Sequence, residues 1–234
     1  FKKIKKIKFS AIIHIAGQSS GEISFNNPIN DLKKNTQSVL NLLNFLIKNN
    51  CNRFIYASSM SVYGSTLDKP IKENNPCNPL SFYGISKLAS ENYIKLFSNY
   101  GINWTVLRLF NVYGPNQNLT NMKQGMVSIY LSQLINNSVI QVKGSINRYR
   151  DFIYIDDVTE IFIKSINQKE SFNKIINVGT GKKTTVKELL QKINKKTQKK
   201  YITKITENTP GDQKGIYANN SNLKKIFNKK KFIS

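Results

Sequence analysis

Strand-like and helix-like segments alternate through the first half of the chain, and this alternation limits the fold more than any other feature of the sequence. Short runs rich in β-branched and aromatic residues, at 11–16, 53–59 and 104–114, predict buried strands. Between them, residues 32–49 and 80–100 carry apolar side chains at helical spacing. This order of elements predicts an α/β fold built on a doubly wound, Rossmann-type parallel sheet.

The pattern is less regular after residue 114, where the segments are shorter and turn residues are frequent. We therefore expect a Rossmann-type domain over 1–114 and a smaller α/β lobe over 115–234. Residues 150–180 contain further strand-like runs and are expected to return in part to the first sheet.

The charge of the chain suggests nucleic-acid binding, but its distribution does not support it. Lysine and arginine outnumber aspartate and glutamate by 36 to 13, which gives a net charge of +23. The lysines are spread along the chain, without zinc-finger spacing, an arginine-rich helix or an aromatic platform. We therefore expect no dedicated nucleic-acid function.

Other features of the composition are typical of a cytoplasmic protein. Cys51 and Cys77 are too few for a disulfide framework. With a single histidine, His14, and no clustered carboxylates, we expect no metal site, and His14 should be packed rather than catalytic. No apolar run approaches the roughly 20 residues that a membrane-spanning helix needs.

A tyrosine and a lysine four residues apart, Tyr83 and Lys87, lie near the start of the second predicted helix. Residues at this spacing share one helical face, so the phenol and the ammonium should point the same way. A nearby ammonium stabilises a phenolate and is expected to lower the pKa of Tyr83. Such a pair also arises by chance, so the motif alone is weak evidence.

Further motifs give this pair a context. Ser58 and Ser59 end the strand predicted over 53–59, and chemistry in doubly wound folds is located at the carboxyl ends of strands. Three more motifs follow in the sequence: RLFNVYGP at 108–115, RDFIYIDDV at 150–158 and TPGD at 209–212.

The ordered motifs HIAG, SSMSVYG, YGISK, RLFNVYGP, RDFIYIDDV, NVGTG and TPGD resemble the NAD-dependent epimerase/dehydratase family, the extended short-chain dehydrogenases/reductases that act on nucleotide sugars. Within it the chain is most similar to UDP-glucose/UDP-N-acetylglucosamine 4-epimerases. The resemblance implies an isomerase that interconverts UDP-hexoses through a transient 4-keto sugar with tightly bound NAD. It also implies that the smaller lobe binds the substrate, and related enzymes are often homodimers.

The resemblance implies roles for individual residues. Tyr83 would exchange a proton with the sugar 4-hydroxyl, Ser59 would hydrogen-bond the same oxygen, and Lys87 would bond the nicotinamide ribose. The cofactor-binding residues would be Tyr83 and Lys87 with Ala16, Gly17, Asn35 and Ser58. The substrate-binding residues would be Asn111, Arg150, Asp212 and Ile216. Asn111 and Arg150 would bind the diphosphate. Asp212 would hold a ribose hydroxyl or order its loop, or it is a plain turn residue.

Two positions depart from the family pattern in ways that affect the substrate. Thr209 occupies a place where epimerases commonly have an arginine, which leaves Arg150 as the one clear motif arginine for the diphosphate. Ile216 occupies a place where glucose/galactose-restricted epimerases carry a tyrosine, so space for an N-acetyl group is expected. The alternative is that Ile216 packs in the core.

The glycine-rich turn that binds the pyrophosphate of NAD, and the acidic residue that follows it, are not in this sequence. We therefore expect a fragment, truncated at both ends, in which NAD binding and activity are in doubt.

The alternatives are a decarboxylase, reductase or dehydratase of the same family, or a non-catalytic remnant. A 4,6-dehydratase needs an Asp-Glu pair after the catalytic Ser/Thr, where this chain has Met60 and Ser61. The run 178–184 looks like a nucleoside-triphosphate loop but lacks its spacing.

Overall fold

The structure, a computed structural model, describes residues 8–136, 139–208 and 210–233. The strands are β1 (Ile12–His14), β2 (Arg53–Ser59), β3 (Asn103–Leu109), β4 (Asn111–Tyr113), β5 (Val139–Lys143), β6 (Tyr149–Arg150), β7 (Phe152–Tyr154), β8 (Lys174–Val178), β9 (Thr184–Thr185) and β10 (Ile202–Thr206). The helices are α1 (Gly21–Asn26), α2 (Pro28–Leu32), α3 (Ser38–Lys48), α4 (Phe82–Leu96), α5 (Met126–Asn136), α6 (Ile155–Ser165), α7 (Val186–Thr197) and α8 (Ser221–Phe227). Within the described residues, no helix is long and apolar enough to cross a membrane.

The main sheet is parallel and has the strand order β1-β2-β3-β8. Side chains of β2 alternate between its two faces, as the period of a strand requires. Phe54 and Tyr56 pack against α3 and α4, whereas Ile55 and Ala57 pack against α6 and α8. Burial of a side chain such as Phe54 or Ile55 contributes about 1.5–3 kcal/mol relative to exposure. Helices therefore cover both faces, and the predicted doubly wound α/β sheet is confirmed.

A second, smaller core lies beside the sheet. Strands β5 and β10 pair in parallel, and α5 and α7 contribute buried residues such as Tyr130 and Leu190 to a separate cluster. Helix α7 begins at a capping box formed by Thr185 and Glu188.

The segment 104–114, predicted as one strand, is two strands in the structure. The backbone N–H of Phe110 donates to Val178 in β8, and the next N–H, of Asn111, donates to the carbonyl of Asp151 instead. From this point β4 pairs with β7 and not with the main sheet. The change of partner places Asn111 outside the end of the sheet.

The loop after β8, which superficially resembles a nucleoside-triphosphate loop, has its backbone donors occupied by a carboxylate of the chain itself. Asp151 accepts hydrogen bonds from the N–H groups of Thr180 and Gly181 at 2.8 Å each, and from Ala218 at 3.1 Å. The loop therefore connects β8 to β9 and α7, and it lacks the spacing of a nucleoside-triphosphate loop.

Candidate active site

Ser59 and Tyr83 meet where β2 ends and α4 begins. The Ser59 hydroxyl accepts a hydrogen bond from the N–H of Ser61 at 3.1 Å and opens a 3₁₀ turn at Met60–Val62. Gly84 lets the helix approach this turn, because a Cβ at Gly84 would lie 2.7 Å from the Ser61 carbonyl oxygen. The side chains of Tyr83 and Ser59 are both buried here, and Ser59 is close enough to lower the pKa of Tyr83 against the effect of burial.

Lys87 lies one turn further along α4, on the same face as Tyr83. Its side chain is buried, and Nζ donates to the carbonyl oxygen of Ala57 in β2 at 2.9 Å. Nζ also lies 4.8 Å from the ring centroid of Tyr56 and 5.7 Å from that of Tyr83. The predicted serine, tyrosine and lysine therefore come together at the carboxyl end of β2.

Burial dominates the pKa values of this group. It raises the pKa of Tyr83 to about 12, against a lowering by the Ser59 hydrogen bond and with a further rise from Asp31. It lowers the pKa of Lys87 to about 8, against the opposite effects of Asp31 and Glu91. The sequence-based prediction that the pKa of Tyr83 is lowered was therefore wrong for this chain, because desolvation of the phenolate has the largest effect on it.

Asn35 and Gly17 lie next to each other beyond the end of β1. Asn35 is buried in a π-helical turn, Lys33–Gln37, a rare element that is frequent at functional sites. Its Nδ2 donates to Asp31 at 3.1 Å, and its Oδ1 has no hydrogen-bond partner among the described residues. A Cβ at Gly17, where φ is +154°, would lie 2.5 Å from that oxygen. The absence of a side chain at Gly17 therefore avoids a clash with the buried Asn35 oxygen. The neighbouring Ala16 is exposed.

Ser58 does not join this group. Its hydroxyl donates to Glu91 at 2.5 Å, and Glu91 also accepts two hydrogen bonds from Arg108, at 3.0 and 2.7 Å. The Ser58 side chain is therefore part of a buried ion-pair network between β2 and α4. That Ser58 lines the cofactor stays a prediction.

A cavity of about 640 Å³ lies next to the serine–tyrosine group. Its lining includes Ser61, whose hydroxyl is 3.1 Å from that of Ser59. Asn111 also lines it, with an Oδ1 that is buried and has no hydrogen-bond partner among the described residues. Tyr83 and Lys87 are not part of the lining, so the cavity reaches the catalytic candidates through the turn that carries Ser61.

Arg150 and Asp212 lie in this cavity and contact each other. Arg150 Nη2 donates to Asp212 Oδ1 at 2.5 Å, and its Nη1 donates to the carbonyl of Tyr149 at 2.8 Å. The sequence analysis missed Arg148, which lines the same cavity and forms an ion pair with the other oxygen of Asp212. The spacing Arg-x-Arg was the available signal, because alternate residues of an extended segment share a face.

The structure places Ile216 away from the cavity. Ile216 is 1% exposed and packs with Val62, Tyr63 and Phe110 in a hydrophobic cluster. This position matches the core alternative that the sequence left open. Thr209, the other position at which the chain departs from the family, lies outside the described residues.

A parallel sheet covered by helices, with a tyrosine and a lysine one helical turn apart at its carboxyl end, is the arrangement of the short-chain dehydrogenase/reductase class. The chain belongs to the NAD dependent epimerase/dehydratase family, whose model matches residues 1–179.

Individual relatives refine this comparison. The chain is 38% identical over 190 residues to a putative UDP-glucose 4-epimerase of Methanocaldococcus jannaschii, which covers 79% of this chain and 61% of that protein. It is 31% identical over 201 residues to a dTDP-4-dehydro-6-deoxyglucose reductase of Escherichia coli, covering 85% and 63%. The chain thus spans less than two thirds of the length of these two relatives. The crystal structure of UDP-glucose 4-epimerase with UDP-glucose from Thermotoga maritima matches with a TM-score of 0.94 at 28% identity, covering 100% of this chain and 75% of that one.

Proposed function

We propose that the protein is a nucleotide-sugar 4-epimerase that interconverts UDP-hexoses, with Ser59, Tyr83 and Lys87 as its catalytic group. The observation that carries this proposal is the convergence of the buried side chains of Ser59, Tyr83 and Lys87 at the carboxyl end of β2, with Lys87 on the same helical face as Tyr83. The adjoining arginine-lined cavity suits a diphosphate. Relatives that are named UDP-glucose 4-epimerases support the substrate class.

In this mechanism Tyr83 moves the proton of the sugar 4-hydroxyl. With a pKa of about 12, Tyr83 is protonated at neutral pH and can donate a proton to a 4-keto oxygen. The Ser59 hydroxyl beside it can hydrogen-bond the same oxygen. To accept a proton, Tyr83 must lose its own, and Lys87 is a cation one helical turn away that would stabilise the phenolate.

The residues around Gly17 fit the nicotinamide-ribose end of NAD. Ala16 and Gly17 are exposed, and the buried Oδ1 of Asn35 beside Gly17 has no hydrogen-bond partner among the described residues. In the proposed complex a polar group of the cofactor would pair with this oxygen, and Lys87 would bond the ribose. NAD would supply an acceptor for the hydride of sugar C4 and a positive charge beside Tyr83. The protein's own contribution is to position the sugar and to move the proton.

The test is turnover by the wild-type protein and by Tyr83→Phe, measured by separating UDP-glucose from UDP-galactose after incubation with NAD. Phenylalanine keeps the packing of the ring but cannot carry the proton, so we expect turnover to fall by about 10²–10⁴. Tyr93→Phe is the matched control, because Tyr93 is on the same helix and 42% exposed. Turnover by Tyr83→Phe close to that of the wild type would remove the basis of the proposal.

A reductase is the second candidate, because one relative is named as a dTDP-4-dehydro-6-deoxyglucose reductase. Reduction of a 4-keto sugar requires a proton donor at the same oxygen, and a protonated Tyr83 fits that role equally well. The two reactions differ in their balance of reduced nicotinamide. A reductase consumes one equivalent for each keto sugar, whereas an epimerase shows no net change in nicotinamide absorbance.

A dehydratase is less well supported, although relatives carry that name. Met60 and Ser61 line the cavity directly after Ser59, and neither is a carboxylate. Without an acid–base pair at these positions, removal of water from the sugar lacks its proton carriers.

A further inference from the structure

Arg148 lies outside the motifs named above, yet its side chain is nearly as buried as that of Arg150. It lies two positions before Arg150 in an extended segment, so the two side chains share a face. The backbone around it is fixed on both sides. The carbonyl of Arg148 accepts from the N–H of Val186 at 2.8 Å, and the N–H of Tyr149 donates to the carbonyl of Lys214 at 3.2 Å.

Two buried guanidinium groups converge here on a single carboxylate. Arg150 donates to one oxygen of Asp212 at 2.5 Å, and Arg148 pairs with the other. Arg148 is 7% and Arg150 is 4% exposed. In addition, Nε of Arg148 is buried and has no hydrogen-bond partner among the described residues.

The charges of this cluster do not cancel. Two guanidinium groups and one carboxylate leave one positive charge without an ionic partner in a cavity wall. Burial and the charge of Arg148 lower the pKa of Arg150 to about 10, which reflects the same excess. Buried charges normally have partners, because removal of an ion from water is costly. An excess positive charge on two arginines that line a cavity, together with a buried N–H donor that has no partner among the described residues, therefore indicates an anionic ligand.

We propose that Arg148 is a second phosphate-binding arginine, which clamps the diphosphate of the nucleotide sugar together with Arg150, and that Asp212 aligns the two guanidinium groups and sets the net charge of the clamp. The inference rests on the proposed function only in requiring a nucleoside diphosphate ligand. A planar guanidinium fork matches phosphate oxygens in two-point contacts. A neutral ribose hydroxyl would leave the excess charge uncompensated.

The first test is calorimetric titration of the chain with UDP and with uridine. Arg148→Gln should weaken UDP binding about 10- to 100-fold, the range for one charged hydrogen-bonding group. Uridine binding should change less than about twofold, because uridine lacks the diphosphate. Lys187→Gln is the matched control: it removes one exposed positive charge from α7, outside the cavity, and should leave both affinities unchanged.

The second test restores the charge without restoring the arginine. In Arg148→Gln, Asp212 neutralises Arg150, so the clamp carries no net charge. In the double variant Arg148→Gln/Asp212→Asn, Arg150 alone supplies one positive charge, and UDP should bind more tightly than to the single variant. A purely structural role of Arg148 predicts no such recovery, since the double variant removes a further contact. If Arg148→Gln does not fold, Arg148→Lys takes its place in the titration. It keeps the charge but lacks the planar fork, so it should bind UDP more weakly than the wild type does.

The outcomes separate this inference from the proposed function. UDP affinity that is unchanged in Arg148→Gln, or a double variant that binds no better than the single one, would overturn the clamp while epimerase turnover could persist. A folded wild-type protein that binds neither UDP nor dTDP would contradict the proposed substrate class as well. Loss of turnover in Tyr83→Phe, together with weaker UDP binding in Arg148→Gln that recovers in the double variant, would support both.

Discussion

Replacement of Lys87 by methionine should abolish the proposed activity and yet make the protein more stable at neutral pH. Lys87 is 4% exposed, and burial lowers its pKa from 10.5 to about 8. The ammonium is therefore less favourable in the folded chain than in the unfolded chain. Methionine fills the space with an unbranched apolar side chain that carries no charge.

The pKa difference sets the size of the effect. One pKa unit corresponds to 1.36 kcal/mol, so a shift from 10.5 to about 8 costs roughly 3 kcal/mol of stability. Below pH 8 the side chain is charged in both states, and the folded state carries the whole cost. Between pH 8 and 10.5 the unfolded chain binds more protons, so wild-type stability rises with pH until the cost is gone. Loss of the Nζ hydrogen bond to Ala57 offsets about 1 kcal/mol, which leaves a net gain of about 2 kcal/mol for Lys87→Met at pH 7.

Urea unfolding of both proteins at about pH 7 and about pH 9.5 measures this difference. The advantage of Lys87→Met should shrink by about 2 kcal/mol over that interval. Lys95→Met, at an exposed position of the same helix, is the control and should change stability by less than about 0.5 kcal/mol at either pH. A variant that is less stable at pH 7, or one whose advantage is the same at both pH values, would refute the buried-ammonium argument.

Two further substitutions test other parts of the structure. Glu91→Gln should lower the free energy of unfolding by about 3–5 kcal/mol in urea, because Arg108 remains buried without its ionic partner; a change below about 1 kcal/mol would mean that the pair is not buried as described. Ile216→Tyr should cost about 1–3 kcal/mol by overpacking and impair turnover of UDP-glucose and UDP-N-acetylglucosamine together. A loss confined to UDP-N-acetylglucosamine would restore the pocket role of Ile216.

Local pattern was sufficient to predict the main sheet from the sequence. Strand β2 has the predicted bounds, 53–59, because all seven of its residues are buried and its middle, 54–57, is a run of aromatic and aliphatic residues. The break at Phe110 was not predictable in this way. It depends on β7, which lies about 40 residues further along the chain and takes over the pairing of β4.

In the candidate site, too, some features follow from the local sequence and others depend on the tertiary fold. Helical spacing was enough to predict that Tyr83 and Lys87 share a face. The direction of the Tyr83 pKa shift was not predictable, because it depends on burial by the whole fold. The hydrogen bond of Ser58 was not predictable for a similar reason, since its partner Glu91 lies on another element.

The order of strands in the main sheet has a consequence for how the chain folds. Strands β3 and β8 are neighbours, paired from Thr105–Lys174 to Leu109–Val178, and about half of the residues that line the cavity belong to the segment between these two strands. The outer edge of β3 stays unpaired until that segment is complete, and such non-local pairing slows folding. An open, apolar strand edge is also a template for aggregation during synthesis. Part of the cavity lining is therefore inserted between two paired strands, and a chain cut after Gly114 would lose β8, the partner of β3.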